Sequence, residues 1–379
     1  MRQVICAVGT GAGVGLLRSG LSVAEVHDPE LISPPGVVID HSPAATGRYI
    51  GSPSIVILPD GSYVSSHDLF GPQSDENTSG ITQVFRSQDR GSSWTRVGEL
   101  RDQFWSNLFV ERGELYLMGA SCQYGRIVIR RSRDGGLTWD PPAFLTSEAN
   151  YHTAPVPVVR AKGRLWRAME YHPPGPWGHF QAFVLSASTD ADLLAAESWT
   201  MTERLAYPPG TPEGWTWLEG NAVVGPDGSL LDILRVDNVE KAAILSVQGS
   251  QLNFDGLVDF PGGSKKFTIR YDEKTKKYWT LSNPALKKYP LSARNPASVR
   301  NTLALLSSRD LHRWRMVRVV LSHPDPLKHA FQYVDWQFDG PDMIVASRTA
   351  FDDPEGGPPR FHDANYMTFH RVVNFRSRR

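Results

Sequence analysis

Two stretches of this chain fit the pattern Ser-x-Asp-x-Gly-x-x-Trp without a mismatch: Ser87-Gln-Asp89-Arg-Gly91-Ser-Ser-Trp94 and Ser132-Arg-Asp134-Gly-Gly136-Leu-Thr-Trp139. Each ends a segment that contains a tight polar turn, and such turns recur along the chain at near-regular intervals. They are Asp60-Gly61, Arg112-Gly113, Lys162-Gly163, Asp227-Gly228, the Gly-free variant Glu273 to Lys276, and Asp339-Gly340. A repeat of roughly 45 to 60 residues built from short strands and tight turns predicts an all-β chain wound as a β-propeller. In the boxes the Asp caps turn amides, the Gly takes a backbone conformation costly for other residues, and the Trp packs between sheets. The box Asp is read as structural and not catalytic.

The repeat gives a six-bladed propeller of four-stranded antiparallel blades; a seventh blade requires further structure from the termini. Blade one reads Ser54 to Leu58, Tyr63 to His67, Thr82 to Ser87 and Trp94 to Val97, with the alternation and bounding turn residues of strands. Blade three carries a helix-prone insertion, Ala191 to Glu197, and blade four has no recognisable box. Blade six lacks its outer strand. Val37 to Asp40, ahead of blade one, supplies it, which closes the ring and hides an edge.

Residues 37–375 therefore form one domain, since no Pro/Ser-rich linker or charge run divides them. Residues 1–24 read as a signal peptide: Arg2, an apolar Val4 to Leu17, and a small-x-small cleavage site at Ser22-Val23-Ala24. The expected location is secreted or periplasmic, and no later run is long enough to span a membrane. Gly9 to Gly15 is Gly-rich but breaks the dinucleotide-loop spacing at Val14, so no cofactor is expected. Lys+Arg and Asp+Glu both number 40, which speaks against a nucleic-acid partner. The two Cys, Cys6 and Cys122, make no disulfide framework, and the His residues have no metal-ligand spacing.

Propeller topology filters the site. The start of each first strand and the end of each second strand converge on one axial mouth. Tyr49 and His67 come from blade one, Trp105, Tyr124 and Arg126 from blade two, and His152 and Glu170 from blade three. Blade four brings Trp217 and Glu219, blade five Lys266 and Arg300, blade six Tyr333 and Arg348, and His41 follows the closing strand. Arg126, Arg300, Arg348 and Lys266 can hold a carboxylate. His67 and His152 titrate near neutrality and can pass a proton. Tyr124 can serve as a base, and Glu170 with Glu219 can form paired carboxylates. Tyr49, Trp105, Trp217 and Tyr333 offer flat faces to a sugar. The competing structural reading makes Trp105 and Trp217 core and the His residues hydrogen-bonding supports.

The boxes, the period and the closing strand resemble the sialidase (BNR/Asp-box) superfamily. Sialidases carry an Arg-Ile-Pro motif on the first inner strand, part of an Arg triad that grips the sialate carboxylate; here the corresponding stretch is Arg48-Tyr-Ile-Gly-Ser-Pro53, with the three residues not contiguous. His41 to Ile55, Leu58-Pro-Asp-Gly61 and Ser66-His-Asp-Leu-Phe-Gly71 are similar to the sialidase-like branch that acts on α-L-rhamnose capping glucuronic acid. That resemblance implies a role for His41 in a hydrolase, or for His67, Tyr124, Arg126 and His152 in a lyase. The expected activity is exo-acting cleavage of an acidic oligosaccharide or polysaccharide, with a uronate the favoured unit. An exo-α-sialidase, which needs three Arg on one carboxylate and a Tyr/Glu nucleophile pair, is the first alternative. A non-catalytic carbohydrate- or protein-binding propeller is the second.

Overall fold

Strands of alternating pattern bounded by Gly and Asp turns pair here with their sequence neighbours into six antiparallel sheets, seen in a computed structural model that describes residues 33–208, 216–289 and 295–377. Blade one holds Ser54–Ile57, Tyr63–Phe70, Ile81–Ser87 and Thr95–Arg101, with Tyr49–Ile50 added at the inner end. Blade two holds Phe104–Glu111, Glu114–Ala120, Ile127–Ser132 and Ala143–Phe144. Blade three is built on Arg164–Tyr171 and Gln181–Ser188, blade four on Trp217–Val224, Leu230–Val236, Lys241–Gln248 and Gln251–Asp259, and blade five on Thr268–Asp272, Lys277–Ser282, Thr302–Ser308 and Arg315–Ser322. Blade six takes Ala330–Asp339, Asp342–Ala350 and Tyr366–Val372 from the end of the chain and Val37–His41 from its beginning. The propeller has six blades, and its closing strand is the one the sequence predicts. The expected leader, residues 1–24, lies outside the described residues.

Apolar side chains fill each gap between neighbouring blades. One such cluster joins Ile39, Met367 and Phe369 of blade six to Ile55, Tyr63 and Phe85 of blade one. The box of blade one locks onto the same seam. Ser87 Oγ accepts from the Gly91 amide at 2.8 Å, and Asp89 accepts from the Ser93 amide at 2.9 Å. Trp94 then packs 5.6 Å from the Phe369 ring. Gly91 has φ +92°, and a Cβ there would fall 2.3 Å from the Phe369 ring, so only glycine fits. The second box repeats these bonds through Ser132, Asp134 and Gly136. Blade four needs no box, because Gly249 (φ +60°) and Ser250 turn Gln248 directly onto Gln251. The insertion expected to be helix-prone forms only a 3-10 turn at Ala196–Ser198.

The hub is stitched by buried side chains. Asp335 of blade six accepts from Ser54 Oγ and the Ile55 amide of blade one, both at 3.0 Å, and from Arg270 of blade five at 3.1 Å. Asn221 of blade four accepts from the Ile269 amide of blade five at 3.0 Å. These bonds hold the inner strands in fixed register, which sets where their ends point.

Candidate active site

Blades two, four and six each break the pairing of their first strand with a β-bulge: between Phe104 and Asn107, Leu218 and Asn221, and Gln332 and Asp335. In each bulge one residue takes a left-handed backbone: Trp105 (φ 47°), Glu219 (φ 58°) and Tyr333 (φ 53°). For a non-Gly residue this costs on the order of 1–2 kcal/mol, and such strain gathers at functional sites. A bulge re-aims a side chain. The blade-four and blade-six bulges turn Glu219 and Tyr333 onto a common partner, Arg235.

Arg235 is buried at the end of the second strand of blade four. Its Nη1 donates to Glu219 at 2.8 Å and to the Tyr333 hydroxyl at 3.3 Å, and its Nη2 donates to Asp237 at 2.9 Å. Burial by itself would raise the Glu219 pKa. Arg235, His152 and the Tyr333 hydroxyl outweigh that and hold it below the usual value. Two further guanidinium groups surround the same phenol ring: Arg300 at 5.4 Å and Arg348 at 5.0 Å from its centroid. Arg300 is held by the Ala297 carbonyl and Gln332, and Arg348 by the His362 carbonyl and the face of Phe70 at 4.4 Å. Burial draws the Arg348 pKa down to about 10. The Nε atoms of Arg235 and Arg348 are buried without a hydrogen-bond partner among the described residues.

Blade one, across the ring from blade four, adds two carboxyl groups. Asp68 is fully buried, accepts from the Ser52 amide at 3.2 Å, and is pushed by burial up to about 6. It fills the space beside Gly51, where a Cβ would lie 2.1 Å from its Oδ2. Glu76, in the loop after the second strand, is half-buried. Burial raises its pKa, against the pull of the Gly71 amide and of Arg348.

A second group lies on the blade-three side. His152 Nδ1 meets Glu170 at 3.0 Å, and the other Glu170 oxygen accepts from the Gly220 amide at 2.8 Å. Asp232 is fully buried with no hydrogen-bond partner for either oxygen among the described residues, and burial and then Glu170 nearby raise its pKa well above the usual carboxylate range. Trp105 packs edge-on to His152 at 4.5 Å, and Tyr124 stacks on His172 at 4.6 Å.

Glu219, Tyr333, Arg300 and Arg348 thus meet, with His152, Glu170, Trp105 and Tyr124 beside them. The other expected site residues take other partners. His67 lies between sheets, stacked on Phe85, with Nε2 on Asp40 at 2.9 Å and Nδ1 at the Asp68 carbonyl. His41 is held by Asp353 at 3.1 Å and stacks on Tyr366. Lys266 is buried under the hub, bonded to Thr268 and the Val334 carbonyl, and burial lowers its pKa to about 8. Trp217 is core, donating to the Phe180 carbonyl. Arg126 lies over the Phe144 ring at 3.6 Å, and Tyr49 packs behind Phe70. Arg235, Glu76 and Asp68 were not expected. Arg235 is the residue that the end-of-second-strand rule selects once that strand is drawn to Val236.

Replacing His67 by Ala should lower stability by about 2 kcal/mol, since Asp40 loses its partner. Catalytic turnover should stay within about threefold of wild type, because His67 shares no partner with Tyr333. Thermal denaturation and steady-state rates on the same preparation check both halves.

No family model matches the sequence, and no curated protein does. Solved structures do match in fold. The Hadza microbial sialidase Hz136 superposes with a TM-score of 0.63 at 13% identity, covering 89% of this chain and 68% of the other. The likeness is one of fold, a β-propeller. The α-L-arabinofuranosidase Arb93A from Fusarium graminearum gives a TM-score of 0.60 at 13% identity, covering 89% of this chain and 97% of its own. Trypanosoma rangeli sialidase in complex with sialic acid gives 0.58 at 14% identity, covering 86% and 55%.

Proposed function

We propose that this sialidase-like propeller is a retaining exo-glycosidase for a sugar whose carboxylate sits on the anomeric carbon, as in the sialic acids. The observation that carries this reading is the Tyr333 hydroxyl, bonded to Arg235 and set beside Glu219 with Arg300 and Arg348 around its ring. Three guanidinium groups suit a carboxylate, which accepts paired charge-assisted bonds. A carboxylate nucleophile would be repelled by the substrate's own carboxylate, whereas a phenol is neutral until it attacks.

In the first step the Tyr333 oxygen bonds to the anomeric carbon and its proton passes to Glu219. The glycosidic bond breaks, and Glu76 gives its proton to the leaving oxygen. In the second step water replaces the tyrosyl oxygen, Glu76 takes the proton of that water, and Glu219 returns the other proton to Tyr333. Arg235 keeps Glu219 ionised and ready to accept. The third guanidinium of this triad is Arg348 of blade six. Where sialidases carry Arg-Ile-Pro on the first inner strand, this chain has Arg48-Tyr-Ile-Gly-Ser-Pro53, with the Arg, Ile and Pro not contiguous. The names of the matched structures, two sialidases and an arabinofuranosidase among them, also favour glycan cleavage. With residues 1–24 read as a leader, the enzyme acts outside the cytoplasm.

A panel of α-sialosides, rhamnosyl-glucuronate and neutral glycosides tests the assignment. Release of free sialic acid supports it. A product with a new ultraviolet absorbance points instead to a uronate lyase centred on His152 and Tyr124. Binding without turnover makes the chain a sugar-binding propeller.

The pH profile follows from the two carboxyl groups. Glu219 must be ionised, and its depressed pKa places the acid limb below the ordinary glutamate range. Glu76 must be protonated, and its raised pKa carries activity to higher pH than an ordinary glutamate would allow. The rate should therefore peak in mildly acidic solution and fall as pH rises through the Glu76 value. Glu76→Gln should flatten that upper limb. It should cost about 10²-fold or more on an alkyl-linked substrate and much less on an aryl glycoside, whose leaving group needs no proton. A variant profile that keeps the wild-type upper limb removes Glu76 from this role.

A further inference from the structure

We infer that the cleft beside the loop 173–181 is a second sugar subsite, which takes neutral rings of the glycan on the leaving-group side of the cleaved bond. This rests on the glycosidase reading above. The cleft holds about 570 Å³ and is lined by Pro174, Trp177, His179, Gln181, Tyr207 and Thr216, among others. Among the described residues its lining contains no Asp, Glu, Lys or Arg, in contrast to the three guanidinium groups of the hub. An acidic ring belongs in the hub, and neutral rings belong here.

Trp177 is the platform. Its side chain is 54% exposed, and no other tryptophan among the described residues is exposed. A large aromatic left in water on a pocket wall offers a flat apolar face to the C–H face of a pyranose. His179 and Gln181 stand near it with polar groups for hydroxyls, and the ring of Tyr207 forms part of the wall. The platform is preorganised. Pro173, Pro174 and Pro176 restrict the loop, and Thr216 and Trp217 of blade four donate to the Gly178 and Phe180 carbonyls.

The cleft adjoins the hub through the buried ring of Phe180. Trp177 packs edge-on to Phe180 at 5.7 Å, and Phe180 packs on His152 at 4.8 Å and on His172 at 4.9 Å. His152 in turn lies close enough to Glu219 to act on its charge. The loop joins the second and third strands of blade three at the end where the mouth opens.

The test is Trp177→Ala in the full chain, with two substrates. On a sialyl-trisaccharide ending in two neutral hexoses, kcat/KM should fall about fivefold to tenfold, the loss of one well-packed aromatic contact. On an aryl sialoside, which has no neutral hexose, it should stay within about twofold. Equal losses on both substrates, or none on either, overturn the subsite. A separate measurement does not depend on catalysis: saturation-transfer NMR of lactose, maltose and cellobiose with wild type and variant. Contact seen with wild type and lost in Trp177→Ala supports the platform even if no sialoside is cleaved. Contact with neither protein, or with both alike, overturns it.

Discussion

Tyr333→Phe should lower kcat/KM by about a thousandfold or more, equivalent to about 4 kcal/mol of barrier, while the protein stays folded. The substitution removes one oxygen. The phenyl ring still fills the space between Arg300 and Arg348. Arg235 keeps its bonds to Glu219 and Asp237, so no buried charge loses its partner. What disappears is the atom that would bond to the anomeric carbon. Because the ring remains, ground-state binding should change little, and the loss should fall on kcat. A variant that keeps wild-type kcat would move the nucleophile elsewhere in the hub. The readouts are initial rates with an aryl sialoside and a melting curve that overlays that of wild type.

Arg235→Ala should damage both activity and stability. Arg235 is the common partner of Glu219, Asp237 and the Tyr333 hydroxyl, and it is buried with the two carboxylates. Breaking a buried pair leaves charge uncompensated, at about 3–5 kcal/mol. The pH dependence has a definite sign. Glu219 has a folded pKa below its ordinary value, so its ionised, paired form stabilises the protein above the ordinary glutamate pKa. That contribution is lost as pH falls through the depressed folded value. The deficit of Arg235→Ala should thus be largest near neutral pH and shrink in acid. Combining Arg235→Met with Glu219→Gln should recover part of the stability and none of the activity. Chemical denaturation at two pH values separates these outcomes. A deficit that grows in acid would contradict the assigned charge state of Glu219.

The wheel was legible because its punctuation is local. Turn residues, two boxes and an orphan strand at the start of the chain each have a physical reason that needs no knowledge of distant residues. Blade four lost its box only because a glycine turn does the same work in two residues. The hub was legible in part. The rule that first strands begin and second strands end at the mouth selected Tyr333, Glu219 and Arg348, and Arg300 was named from the start of the third strand of blade five. It could not say which way a side chain points. His67 and Asp68 are consecutive and face opposite sides of their sheet, so the histidine goes between blades and the aspartate goes under the mouth. Lys266 and Trp217 obey the rule and yet lie too deep. The bulges at Trp105, Glu219 and Tyr333 add one residue to a strand, and nothing in the local pattern announces them. Glu76 sits in a loop that the strand rule never reaches.

The most direct test of the central claim is a search for the covalent intermediate. A sialosyl donor fluorinated next to its anomeric carbon should form the glycosyl-enzyme quickly and release it slowly, since fluorine destabilises the cationic transition state of both steps and a good leaving group spares the first. Intact mass should rise by one fluorosialosyl unit, and peptide mapping should place it on the Tyr333 oxygen, with no adduct in Tyr333→Phe. An adduct on Glu170, Glu219 or His152, or turnover of the same donor by Tyr333→Phe at the wild-type rate, would contradict the account.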